Sequence, residues 1–180
     1  MIDRIEIWRL TYATSSLHEA RGAAKYLLAN RNLDWDSKKA FVTQLVIAYA
    51  RPFTKCQLTS SLRAAPLAES LVPHQFVDLH REHWDIRNRA VGHKDATAFP
   101  SQPLNRVVLH VDDGGLELTT TSVYDLSDDA LRRTIELCEL LVRHCGSELQ
   151  KYMSHFAGVP PGDYLMSTES APVAWLEKQT

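Results

Sequence analysis

Apolar residues recur every three or four positions along most of the chain, the spacing of a buried helical face. Ile5, Trp8, Tyr12, Leu17, Ala20, Ala24 and Leu27 fall on one stripe, which predicts a long helix from an Asp3 cap to about position 30. "NLDWDS" breaks the pattern. Phe41, Leu45, Ala48 and Tyr49 mark a second helix over 37–51, closed by Pro52, which lacks the amide that a further turn needs. The stretch 54–72, with Pro66, reads equally as loop or short helix. Pro73 suits the first turn of a third helix, which runs through "HQFVDLHREHWDIRNRAV" until Gly92 offers a stop. "HKDATAFPSQPLN", with two prolines, is irregular. "NRVVLHV" and "LELTTTSV" then flank Asp112, Asp113, Gly114 and Gly115, the signature of one β-hairpin at about 105–123 that needs helices to pack on. Ser127, Asp128 and Asp129 open the last helix, where Leu131, Ile135, Cys138, Leu141, Val142, Cys145, Leu149 and Tyr152 keep helical spacing. The expected architecture is all-α: an up-and-down bundle of four long helices over 1–156 with a small β-hairpin insertion. An irregular C-terminal tail over 157–180 follows, with Trp175 and Leu176 placed to dock back onto the body.

Composition narrows what such a bundle does. At 180 residues, 44% hydrophobic and 23% charged, the chain can bury a core without disulfide staples. A net charge of -2 excludes nucleic-acid binding through bulk charge, so any such binding requires a local patch. Three cysteines without CxxC spacing suit a reducing compartment, and Cys138 and Cys145 share one helical stripe as small buried hydrophobes. "MIDRIEIWRL" lacks the cationic start and apolar run of a signal peptide, and no run approaches the length of a membrane span. A cytoplasmic protein with no membrane partner is expected. GxSxG, HExxH and a glycine-rich phosphate loop are all missing, which removes support for serine-hydrolase, zincin and NTPase readings.

The third helix departs from its own pattern. At about 100° per residue, Phe76, Leu79, His83, Ile86, Arg87, Ala90 and Val91 share one broad face with Arg87 near its middle. A guanidinium keeps its proton, so burial there demands a carboxylate, carbonyls, water or an anion. Asp78, Glu82 and Asp85 are poorly placed on the same helix, which leaves an acid from a neighbouring helix or an external anion. His83, one turn earlier, either lines the same cleft or packs beside Trp84. His93 would lie about 9 Å further along a continuing helix and about 240° round, but Gly92 lets the chain turn so that both heads face one cleft. A fixed cation beside a titratable imidazole suits a phosphodiester: one holds charge, the other moves a proton. Asp95 is placed either to orient the imidazole or in a solvated loop. Arg81, Arg89 and Lys94 supply a local positive patch or a solvated helix face. His74, His80 and His83 around Glu82 lack zincin spacing and no cysteine joins them, so neither a metal nor another cofactor is expected.

These residues carry a family resemblance. Arg87 and Asn88, followed after four residues by His93 in "RNRAVGH", resemble the signature of the HEPN superfamily, on the third long helix of a bundle. The wider phrase "LHREHWDIRNRAVGHKD" and the earlier "AYARPF" are similar to its abortive-infection branch, which often reads "LRNKxxAHxD" here; this chain has Gly92 where that branch has alanine. The resemblance covers roughly 37–150 in architecture, and its specific part is about 17 residues long. It implies an RNA-cleaving homodimer in which two copies of the motif form a metal-independent cleft. Arg87 would hold the scissile phosphate, His93 would act as general acid or base, and Asn88 would orient phosphate or imidazole. Attack by the ribose 2′-hydroxyl would leave a cyclic phosphate and a 5′-hydroxyl. The resemblance further implies a toxin–antitoxin or phage-defence role, with a cognate antitoxin such as a nucleotidyltransferase. Its alternative is a non-catalytic HEPN dimer that binds RNA, nucleotide or a partner protein.

Overall fold

The computed structural model describes residues 4–57, 63–88, 105–112, 115–122, 126–157, 159, 164–166 and 176–178. Three long helices make its frame: α1 (Arg4–Ala29), α2 (Trp35–Ala50) and α4 (Asp128–Gln150), with a short α3 (Val77–Asp85) between the last two. A helical bundle is therefore the architecture. Among the described residues, the third helix, expected to be long, is α-helical over Val77–Asp85, entered through a 3-10 turn at His74–Phe76 and followed by π-type hydrogen bonding at 86–88. Gly92, the expected stop, lies outside the described residues, as does the Asp3 cap.

Cross-helix pairs set the directions. Arg31 pairs with Asp128 and Arg21 with Glu139, so α4 runs antiparallel to α1. Tyr26 stacks on Phe41 while Arg51 reaches Glu19, so α2 also runs antiparallel to α1. The core stripe of α1 is Leu10, Ala13, Leu17, Ala20, Ala24 and Leu27. Trp8 and Tyr12, expected on that stripe, are half-buried on its flank, where they stack on each other at 5.1 Å. The seam is lined by leucine and alanine, and short side chains at positions 13, 20 and 24 let neighbouring helices approach closely. Phe41 likewise sits at the edge of the core, and Val42, Leu45, Val46, Ala48 and Tyr49 form the buried face of α2.

Helix ends follow local chemistry. The Asp34 carboxylate accepts from the Ser37 amide at 2.9 Å and the Ser37 hydroxyl at 2.6 Å, so α2 begins at Trp35, two residues before the expected start. Those hydrogen bonds, the side-chain one first, hold the Asp34 carboxyl below its ordinary range. Ser127 caps α4 as expected, accepting from the Ala130 amide at 3.1 Å, with Asp128 and Asp129 in the first turn. Cys138 and Cys145 are fully buried in α4, and burial pushes the Cys138 thiol up to about 12.

The connecting segments carry short strands. β1 (Cys56–Gln57) and β2 (Arg63–Ala64) pair antiparallel within the stretch left open between loop and helix. The backbone of β3 (Asn105–Asp112) pairs antiparallel with β4 (Gly115–Ser122), from Asn105 opposite Ser122 to Asp112 opposite Gly115. The tail, expected to be irregular, contains a third antiparallel pair, β5 (Tyr164–Met166) with β6 (Leu176–Lys178). Main-chain pairing satisfies the donors and acceptors that an irregular run would leave to water. Trp175 lies outside the described residues.

Candidate functional site

The expected site begins where α3 meets α2 and α4. Periodicity buries Phe76, Leu79, His83 and Ile86 along α3 and its flanking turns, and the four are at most 4% exposed. His83 is fully buried, its Nε2 lying 2.8 Å from Thr134 Oγ1 on α4. Thr134 gives its single hydroxyl proton to the Ala130 carbonyl at 2.7 Å, so it accepts from the imidazole and fixes the Nε2–H tautomer. The opposite nitrogen, Nδ1, is left without a hydrogen-bond partner among the described residues. Burial, with the neighbouring His80 second, pushes the His83 pKa down to about 3. His83 is thus a neutral core residue, packed edge-on against Tyr49 with ring centroids 4.9 Å apart, and does not line a solvent-facing cleft.

His80 lies one turn earlier on the same face. The Tyr49 hydroxyl and His80 Nδ1 are hydrogen-bonded at 2.8 Å in the core. Burial lowers the His80 pKa and raises that of Tyr49, so both stay neutral near pH 7. Two long-range hydrogen bonds therefore tie α3 to its neighbours, one to α2 and one to α4.

Arg87 follows in the π-type turn. Constant 100° steps place it mid-face, but the turn changes the step: Ile86 keeps the buried position, its amide bonded to the carbonyls of both Glu82 and His83. Arg87 is half-buried instead, with its guanidinium carbon 5.7 Å from the centroid of the Trp84 ring. Its Nη1 donates to Asn88 Oδ1 at 2.6 Å. Of the two partners left open for it, an acid from a neighbouring helix does not occur among the described residues, where Arg87 makes no ion pair with a carboxylate. Arg81 pairs loosely with Asp78 at 3.8 Å on the exposed face of α3.

The structure thus brings together Arg87 and Asn88 and buries His83 in the core. His93, Asp95, Arg89 and Lys94 lie outside the described residues. Three residues absent from the expected site, Tyr49, Trp84 and Thr134, shape it. Trp84 was legible as the i−3 neighbour of Arg87, whereas Tyr49 and Thr134 come from other helices. Among the described residues, no group of three or more His, Cys, Asp or Glu is arranged to hold a metal ion, and no helix is long and apolar enough to cross a membrane.

A separate cavity of about 240 Å³ opens at the C-terminal end of α1. Leu27, Val42, Leu126 and Leu131 line its apolar part, and Arg31, paired with Asp128, stands among its polar lining. Of the expected site residues that are described, Arg87, Asn88 and His83, none lines it. Comparison of the chain with protein-family models, curated proteins and solved structures finds no match.

Proposed function

We propose that the chain is a metal-independent endoribonuclease of HEPN type, acting as a homodimer in a toxin–antitoxin or phage-defence system. The observation that supports this reading is the state of Arg87: a half-buried guanidinium restrained by a ring face and an amide, with no carboxylate cancelling its charge among the described residues. Such a cation suits the bidentate geometry of a phosphate. In this reading Arg87 holds the scissile phosphate and Asn88 orients it or the imidazole. His93 exchanges protons with the 2′-hydroxyl or the leaving oxygen, Asp95 orients His93, and Arg89 and Lys94 extend the positive patch along the RNA.

The reaction needs no redox step. The ribose 2′-oxygen attacks phosphorus and loses its proton to a base. The bond from phosphorus to the 5′-oxygen breaks, and that oxygen takes a proton from an acid. The products are a 2′,3′-cyclic phosphate and a 5′-hydroxyl, and Arg87 offsets the charge that grows on the phosphoryl oxygens. Two copies of the motif meeting at a two-fold axis would supply one acid and one base. The β3–β4 pair is then an insertion on the bundle between the motif and α4. A cytoplasmic location and a cognate antitoxin such as a nucleotidyltransferase belong to the same reading.

The test is incubation of the purified chain with RNA in EDTA, beside His93→Ala. Cleavage by the wild type that disappears in the variant is expected; equal cleavage by both removes His93 from the reaction. RNA binding without cleavage would move the chain to the non-catalytic alternative.

A further inference from the structure

An aromatic path leads from the core to Arg87. Tyr49, fully buried on α2, shares a hydrogen bond through its hydroxyl with His80 Nδ1. Phe53 packs edge-on against the same imidazole at 4.9 Å, so His80 is held by a hydrogen bond and by a ring. The His80 ring lies near-parallel to Trp84, with centroids 6.1 Å apart and planes 22° from parallel. Trp84 in turn stands beneath the Arg87 guanidinium. His80, Trp84 and Arg87 stand at i, i+4 and i+7, so each member is about one turn beyond the last. The Asn88 amide oxygen holds the same guanidinium from the side.

Neither restraint is anionic. A carboxylate would also order the long arginine side chain, but it would cancel the charge that a phosphate needs to meet. A ring face and an amide oxygen limit its rotamers while leaving its charge in place. We infer that Trp84, fixed from beneath by His80 and through it by Tyr49, is a positioning residue that presents Arg87 to an RNA phosphodiester. The substrate named here rests on the ribonuclease reading, while the ordering of Arg87 by Trp84 is independent of it.

The experiment has two arms on the full chain. In the first, the side-chain Nε–H signals of ¹⁵N-arginine-labelled protein are recorded, with Arg87 assigned by its loss in Arg87→Lys. The ring current of Trp84 should move the Arg87 signal upfield of the position of a solvated arginine. Trp84→Leu should return it there and Trp84→Phe should keep most of the displacement. An Arg87 signal at the solvated position in the wild type overturns the proposal, whether or not Trp84→Leu folds. So does a displaced signal that a folded Trp84→Leu leaves unchanged.

In the second arm, binding of a 2′-O-methyl oligoribonucleotide, which cannot be cut, is followed by fluorescence anisotropy. Trp84→Leu should weaken it by about two- to fivefold, the size of a cation–π contact at an exposed site, with Trp84→Phe restoring most of the loss. Wild-type affinity in Trp84→Leu, combined with a loss in Arg87→Ala, overturns the positioning role and leaves the RNA reading intact. A displaced Arg87 signal with no RNA binding by the wild type removes the RNA reading and leaves the ordering of Arg87 standing.

Discussion

The α1–α4 seam and the corner where α3 meets α2 and α4 are both closed to solvent, but by different chemistry. The seam is leucine and alanine at helical spacing, Leu10, Leu17, Ala20 and Ala24 from α1 and Leu137, Leu141 and Cys145 from α4. Its stabilisation is that of apolar area removed from water, and it asks for no specific partner atom. The corner buries His80, His83, Thr134 and Tyr49, whose polar atoms must find one another, and His83 Nδ1 finds no partner among the described residues. Leaving an acceptor desolvated in this way costs about 1–3 kcal/mol. The seam maximises burial. The corner gives up part of that stability, and the helix end it fixes carries Arg87.

The largest effect that separates the two regions comes from cutting the seam. Leu137 is fully buried, so Leu137→Ala should lower the unfolding free energy by about 2–5 kcal/mol, through lost transfer energy and the cavity left behind. Urea denaturation at pH 7 measures it, and a loss below about 1 kcal/mol would show that the seam is looser than described.

The corner should respond to pH instead. The folded pKa of His83 is pushed down to about 3, below the ordinary imidazole value of 6.5, and that of His80 is also lowered. As pH falls below 6.5 the unfolded chain takes up protons that the folded chain refuses. Stability is therefore full above that pH and declines toward about pH 3. Each such proton costs about 1.4 kcal/mol per pH unit. His83→Leu removes both the titration and the unpartnered nitrogen. Its stability at pH 7 should be no lower than wild type, and at pH 4.5 it should lead by a further increment of about 2–3 kcal/mol. An unchanged gap between the two pH values would mean that His83 accepts a proton in the fold.

The smallest effect belongs to the surface. Glu19 and Arg51 pair at 2.9 Å with both side chains more than 40% exposed, so Glu19→Ala should change stability by less than about 1 kcal/mol. A larger loss would extend the cooperative unit beyond the core.

The same contrast explains what was legible in the sequence. The seam follows from a period, and the period gives Leu17, Ala20, Ala24 and Leu27 of α1 and Leu131, Cys138, Leu141 and Cys145 of α4, but it passes over Leu137 and takes in Ile135, Val142, Leu149 and Tyr152, which are only partly buried. It fails at the start of α1, where Trp8 and Tyr12 fit the spacing but stack on each other beside the core. It fails again at Asp34, whose capping of α2 was hidden because "NLDWDS" reads as a break. At Arg87 the reason is geometric: the π-type turn alters the angular step on which the inward placement depended. The His83–Thr134 and Tyr49–His80 hydrogen bonds join residues 51 and 31 positions apart, and no local pattern announces a pair at that separation. The aromatic support of Arg87 was not read from the sequence, although Trp84 stands only three residues before it.

The role proposed for Arg87 is in phosphodiester cleavage by the ribose 2′-hydroxyl. It is tested most directly by mass spectrometry of the termini left when the wild-type chain cuts an oligoribonucleotide in EDTA. A matched substrate carries one 2′-deoxy residue on the 5′ side of the scissile bond. The expected result is 2′,3′-cyclic phosphate and 5′-hydroxyl ends, no cleavage at the deoxy-substituted position, and no products from Arg87→Ala. Ends bearing 3′-hydroxyl and 5′-phosphate, or cleavage at the deoxy-substituted position, would contradict it.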